Sequence, residues 1–192
     1  MSIRTVARIA LGGALLAELG MAFHRFEVRR RTFDAAARRA AALGRPLVVV
    51  GDPDAGMHTS IKRAYGCGDM CIDKNGCPMC TVTKVADLTK GPIDGIADDS
   101  SVVFVSCVLE YVTDPEAALR ELRRIAGSPD NLFLVFVEPW TITAALYPGA
   151  QWAGGSQDSA QDKIAMQPIT TARKVAIAGS LGLLALAAAR RR

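Results

Sequence analysis

Three short runs of almost uninterrupted aliphatic residues constrain this chain more than any other feature: PLVVVG ending at Gly51, SVVFVSCVL from Ser101 to Leu109, and NLFLVFVEP from Asn131 to Pro139. Each is too short for a buried helix and rich in β-branched residues. A strand with one wet face alternates apolar and polar side chains, whereas these do not. They therefore read as strands buried on both faces, near 46–50, 102–108 and 132–138, which is the pattern of a parallel sheet covered by helices on each side.

Between the second and third runs, Asp114-Pro115 opens PEAALRELRRIAG, with Ala118, Leu119, Leu122 and Ile125 at helical spacing. Glu116 lies in its first turn, arginines in its last, and Gly127 follows as a stop, so both ends suit the helix dipole and its caps. A strand, helix and strand in this order pair in parallel through a right-handed crossover. Upstream, FDAAARRAAAL from Phe33 to Leu43 predicts a helix with Thr32 or Asp34 as its cap, ended by Gly44 and Arg45-Pro46. Ligands of such sheets bind beyond the carboxyl ends of the strands, which directs attention to Gly51–Gly56, Ser106–Tyr111 and Glu138–Trp140.

The ends differ from the middle. From Val6 to Phe23 the run VARIALGGALLAELGMAF is long enough to span a hydrocarbon core as a helix, although Arg8 and Glu18 interrupt it and Glu18 is costly in mid-span. HRFEVRRR follows where a cleavable signal would place small residues, so a retained anchor is preferred over an interfacial helix or a cleaved signal. The tail from Val175 to Ala189 has fifteen uncharged residues between Arg173-Lys174 and three terminal arginines. At ~1.5 Å per residue it covers roughly 22 Å, short for a span, so interfacial seating or docking on the domain are its alternatives.

Charge follows the same division. Residues 1–31 hold six arginines against Glu18 and Glu27 (+4), residues 173–192 hold five basic residues and no acid (+5), and the total of +4 leaves residues 32–172 at −5. Basic residues beside apolar runs suit anionic lipid, whereas a nucleic-acid binder carries its basic patch on the folded domain. The expected partners are membrane lipids and a membrane protein, with no nucleic acid, and the expected location is a membrane with the α/β domain on its cytoplasmic side. The organisation that follows is an N-terminal anchor or interfacial helix (1–31), an α/β domain (32–147), a polar linker (148–172) and a C-terminal apolar helix with basic ends (173–192).

Four of the five cysteines fall in CGDMCIDKNGCPMC, as Cys67, Cys71, Cys77 and Cys80. Thiolates two to four residues apart can close on one Zn²⁺, and Cys77-Pro78-Met79-Cys80 has the spacing that metal and redox sites share. A metal or redox role is preferred; paired disulfides and unlinked small apolar side chains are the alternatives. Cys107, inside an apolar run, reads as plain core. His24 and His58 have no partner at ligand spacing and receive no role.

The stretch DDSSVVFVSCVLEYVTDPEAALRELRRIAG, Asp98 to Gly127, resembles the fourth-strand region of class I S-adenosylmethionine-dependent methyltransferases, with Val108-Leu109-Glu110-Tyr111-Val112 as its most specific part. The order of elements agrees from about Arg45 to Trp140, roughly half the chain. The resemblance implies a Rossmann-like parallel sheet of about five strands with flanking helices, to which the N-terminal and C-terminal apolar helices are added. It also implies S-adenosylmethionine as cofactor. By the same resemblance Gly51 and Asp52 open the cofactor loop, Asp73 holds the ribose hydroxyls, Asp87 faces the adenine, and Ser106 and Glu110 stand at the end of the fourth strand. Glu110 has a solvated helix-start acid as its alternative reading, and Asp73 an exposed acidic loop. Pro53 and Ala55 stand where the family keeps glycines, and Val50 where it keeps an acid. No residue is assigned a catalytic role.

Three functional classes follow: a membrane-associated methyltransferase-like enzyme with an unknown acceptor, a non-catalytic interaction module on the same fold, and a cysteine-centred metal or redox protein.

Overall fold

The computed structural model describes residues 3–55, 63–136, 151–154 and 165–168. Helix α1 runs from Ile3–Leu43. Five parallel strands follow, β1 (Leu47–Val50), β2 (Met70–Asp73), β3 (Thr83–Val85), β4 (Val102–Ser106) and β5 (Leu132–Val135), with helix α2 (Pro115–Ala126) between β4 and β5. Their order in the sheet is β3-β2-β1-β4-β5, and every neighbouring pair is parallel. The fold is thus α/β and Rossmann-like, as the uninterrupted apolar runs require.

Strand alternation sorts the core into two layers. Val48, Val50, Ile72, Val103, Val105, Leu132 and Leu134 point to the face that α2 covers with Ala118, Leu119, Leu122, Ile125 and Ala126. Val49, Cys71, Phe104 and Val135 point to the opposite face, where Ala36 and Ala40 of α1 pack with Phe26 and Phe33. Phe104 lies edge-on to Phe33 at 5.5 Å and to Tyr65 at 5.0 Å between ring centres, an arrangement aromatic quadrupoles favour. All nine residues of β1 and β4 are buried, which explains why neither strand alternates.

Helix α2 starts and stops as its sequence predicts. The Asp114 side chain accepts from the Ala117 N–H at 2.9 Å, Pro115 takes the first turn, and Gly127 closes the helix at φ +68°. Helix α1 differs from expectation, because it does not begin at Phe33 but passes unbroken through Thr32. No proline interrupts residues 3–43, and Glu27 with Arg30 and Arg31, then Arg30 with Asp34, make ion pairs three or four residues apart that carry the helix across this point. No helix among the described residues is long and apolar enough to cross a membrane.

The crossover from β2 to β3 has nine residues, Lys74 to Val82. Parallel neighbours ordinarily need about a dozen or more, usually including a helix. Here buried Cys77 and Cys80 fill the space that a crossover helix would occupy. The segment read as a polar linker contains two short antiparallel strands, β6 (Gln151–Gly154) and β7 (Ala165–Pro168). The C-terminal apolar helix expected at 173–192, together with Gly56, His58, Glu138 and Trp140, lies outside the described residues.

Candidate ligand site at the carboxyl edge of the sheet

The strand order reverses direction between β1 and β4, so the crevice beyond their carboxyl ends is the position where open α/β sheets bind ligands. Gly51 makes the turn out of β1, with its N–H donating to the Ile72 carbonyl at 2.9 Å. Its φ of +98° is open to glycine alone at low cost, and a Cβ there would stand 2.9 Å from Val108 Cγ2 and 3.1 Å from the Ser106 carbonyl oxygen. The backbones at the ends of β1 and β4 therefore touch. The turn continues through Asp52, whose carboxylate accepts from the Asp54 N–H at 3.1 Å, and Asp54 is ion-paired with Arg63.

Asp73 ends β2 beside this turn. Its carboxylate accepts from the Asn75 N–H at 2.8 Å and from the Asp52 N–H at 3.2 Å, so it faces the loop after β1 and joins the two strand ends. Gly51, Asp52 and Asp73 are thus brought together. Asp87 follows β3 on a turn of its own, bonded to the Thr89 N–H and hydroxyl and 3.5 Å from Lys74 Nζ. The Thr89 hydroxyl, then its N–H, then Lys74 hold the Asp87 carboxyl below its ordinary range.

Beneath the end of β4 lies a polar cluster that the sequence reading missed. Arg29 of α1, 9 % exposed, donates to Cys107 Sγ at 3.1 Å, and Tyr65 and Glu110 are close enough to act on its charge. Arg30 and Arg31 beside it are exposed and paired with Glu27, so of these three Arg29 is the one that turns inward. The signal was present in the sequence as one arginine at helical spacing from Phe26, Phe33 and Ala36. Two expectations are corrected here. Glu110 is 1 % exposed and cannot be a solvated helix-start acid. Cys107 is more than core filling, because its backbone takes φ +54°, uncommon for a non-glycine residue, and its sulfur meets a cation.

Burial pushes the Cys107 thiol up, and the opposing pull of Arg29 does not cancel it. Burial likewise raises the Tyr65 phenol to about 12, against the hydrogen bond with Ser106. At neutral pH both groups are therefore protonated. The cluster thus sets a buried guanidinium and the Glu110 carboxyl beside a protonated thiol and phenol rather than a thiolate. Ser106 is buried and turned toward Cys107 and Tyr65, so only its backbone reaches Gly51.

The four clustered cysteines converge, but in pairs. Cys67 is bonded to Cys80 and Cys71 to Cys77, with Cα separations of 5.5 and 6.2 Å, inside the range disulfides use. The preferred expectation, four thiolates on one Zn²⁺, is corrected for this state because a bridged sulfur has no charge to offer a metal. The sulfurs of Cys71, Cys77 and Cys80 nonetheless all lie within 4.8 Å of one another.

A five-stranded parallel sheet in the order 3-2-1-4-5, with a glycine turn and an acid at adjoining strand ends, defines a Rossmann-like α/β protein whose candidate ligand edge lies beyond β1, β2 and β4. No protein-family model, curated protein or solved structure matches the chain.

Proposed function

We propose that this chain is a membrane-associated, methyltransferase-like protein that binds S-adenosylmethionine at the carboxyl edge of its sheet and transfers a methyl group to a nucleophilic acceptor. The observation that carries the reading is the junction of Gly51 and Asp73, where the acid at the end of β2 faces the turn out of β1 through the Asp52 N–H at 3.2 Å. An acid so placed can accept both hydroxyls of a ribose, while Asp87 on the neighbouring turn is within the same edge. Methyl transfer requires little acid or base chemistry when the acceptor is already nucleophilic, because positioning supplies much of the rate. The methyl-bearing sulfonium becomes a neutral thioether as the acceptor gains the methyl.

The test is calorimetry of the full chain in detergent with S-adenosylmethionine and S-adenosylhomocysteine. Saturable binding of both is expected, weakened in Asp73→Ala. Absence of binding to either ligand by a folded chain would reject the cofactor reading. A non-catalytic module on the same fold is the second reading, favoured by buried Pro53 in the turn where a glycine would let a cofactor approach. The cysteines carry a separate proposal, ligation of zinc in the reduced chain.

Both chain ends are proposed to hold the protein at a membrane, with the α/β domain on the cytoplasmic side. Basic ends at +4 and +5 around a middle at −5 support this. Because Phe26 and Arg29 belong to the folded core, the informative truncation removes residues 1–23 and 173–192 and leaves α1 its sheet contacts. The truncated chain should move to the soluble fraction, and a full chain already soluble without detergent would reject the membrane reading.

A further inference from the structure

We propose that Cys67, Cys71, Cys77 and Cys80 form an exchangeable clamp, two disulfides in oxidising surroundings and a single tetrahedral zinc thiolate site in reducing ones. This rests on the cysteine geometry and is independent of the methyl-transfer reading. Three observations carry it.

The first is the turn. Cys77-Pro78-Met79-Cys80 closes with the Cys80 N–H donating to the Cys77 carbonyl at 3.0 Å, which brings the two side chains to one side, yet they do not bond to each other. Cys77 reaches back to Cys71 in β2, and Cys80 to Cys67 just before it. A dithiol redox site would pair the two cysteines of the turn. Pairing each with a cysteine of the other segment instead gathers the sulfurs of Cys71, Cys77 and Cys80 together and holds that of Cys67 against Cys80, two cysteines from each side, the ligand number a tetrahedral site needs.

The second is proximity and burial. Cys71, Cys77 and Cys80 have sulfurs within 4.8 Å of one another, and Cys67 is joined directly to Cys80. Sulfurs at ~2.3 Å from a shared zinc stand roughly 4 Å apart, so Cys71, Cys77 and Cys80 are already close to that spacing and Cys67, once released from Cys80, is the ligand that swings in. Cys71 and Cys77 are buried at 0 and 1 % exposure and Cys80 at 8 %, while Cys67 is half-buried, so an ion held by them would meet water only on the Cys67 side.

The third is need. The nine-residue crossover has no helix to hold β3 on the sheet, and the cysteines are its packing. Reduced and empty, this segment would leave four thiols in the core; zinc restores the cross-link. On the cytoplasmic side of a membrane, where thiols are kept reduced, the zinc form is the one that persists.

The exchange balances. Each disulfide takes two electrons and two protons from a reductant, and the four thiols so formed release up to four protons as they bind Zn²⁺. A disulfide oxidant reverses this, accepting four electrons per clamp, reforming both bridges and expelling the ion.

The test uses the full chain in detergent, reduced with a trialkylphosphine that is oxidised to its oxide, and titrated with Co²⁺ and then Zn²⁺. One cobalt per chain is expected, with thiolate-to-cobalt charge-transfer absorption and tetrahedral ligand-field bands that zinc abolishes. Oxidised glutathione should then discharge the metal, with Cys67–Cys80 and Cys71–Cys77 recovered by peptide mapping. The paired variants C67S/C80S and C71S/C77S separate this from two independent disulfides. Each retains one complete bridge, so each remains folded when oxidised, but each should lose metal affinity by more than the roughly 100-fold that loss of an outer hydrogen-bond partner costs. Three results would overturn the proposal: no thiolate absorption with cobalt, a reduced chain that unfolds and is not restored by zinc, or a paired variant that binds as tightly as the parent.

Discussion

Replacing Gly51 by alanine probes the closest approach in the candidate site, and Gly91 provides its control. Both residues hold positive φ, +98° and +105°. At Gly91 an added Cβ meets nothing within 4 Å, whereas at Gly51 it meets Val108 Cγ2 at 2.9 Å and the Ser106 carbonyl at 3.1 Å. Forcing an alanine into such a conformation costs about 1–3 kcal/mol, and the smaller entropy of the unfolded alanine chain returns about 0.4–1 kcal/mol. Gly91→Ala should therefore lose about 0.5–2 kcal/mol. Gly51→Ala carries the same strain plus overpacking of about 1–3 kcal/mol, because a strand-end carbonyl in a parallel sheet cannot swing aside. Its expected loss is about 1.5–5 kcal/mol. Urea unfolding followed by far-ultraviolet circular dichroism measures both variants, with slopes compared to confirm that only the midpoint moves. If Gly51→Ala loses no more stability than Gly91→Ala, β1 and β4 do not meet as closely as the geometry requires, and the turn leaves room for more than a glycine.

Other outcomes follow from single contacts. Glu121, 5 % exposed, accepts from the Ile93 N–H at 2.8 Å and pairs with Arg124 at 2.7 Å, so Glu121→Ala should cost about 1–3 kcal/mol in chemical unfolding by orphaning the Ile93 N–H, while Arg124 keeps Asp98 and the Ile96 carbonyl. Burial raises the Glu121 carboxyl, but Arg124 and the Ile93 N–H outweigh it and the net shift is downward; its contribution is complete above the unfolded value of 4.5 and is lost as pH falls through the lowered one. Thermal unfolding across that acid range should show a steeper decline in the parent than in Glu121→Gln. Asp114→Ala removes the cap on the Ala117 N–H and should cost about 1 kcal/mol by the same unfolding assay. Reduction without metal should destabilise the chain by roughly 4–5 kcal/mol, the chain-entropy value for nested loops of 13 and 6 residues, read as a lowered melting temperature with all four thiols open to alkylation.

What was legible followed from patterns that one strand or one helix imposes locally. β1 and β4 declared themselves because both faces are buried, and α2 because its caps and its apolar stripe agree. β2 and β3 were legible only through the family resemblance: MCID mixes a cysteine and an acid, and TKV is three residues on an edge with Thr83 and Val85 exposed. Asp73 found its expected neighbours for the same topological reason that fixes β2 beside β1. Arg29 was legible only through its helical spacing from Phe26, Phe33 and Ala36, a signal that the arginines beside it obscured because its burial depends on which side of α1 meets the sheet. The cysteine pairing was likewise closed to spacing, because it joins each residue of the turn to a different position in and before β2.

That pairing also explains why the ligand edge takes the form it does. In a sheet of this order the segment after β2 must return to the start of β3, and a helix would both span that distance and cover the core. With nine residues available, the chain instead makes a sharp turn at Asp73-Asn75, enters the left-handed region at Gly76 (φ +83°), and ties itself down through Cys77 and Cys80. The carboxylate that faces the Gly51 turn is therefore held by a loop whose far side is the cross-linked cluster, Cys71 and Cys77 standing six positions apart with Asp73 between them. Asp73 stands close to those sulfurs in the chain, because one residue separates it from Cys71 along the strand next to the sheet edge, and one hydrogen bond joins it to Asp52. On this geometry the acid and the cysteines are two faces of one loop, and a disturbance of either should be visible at the amide of Asp52.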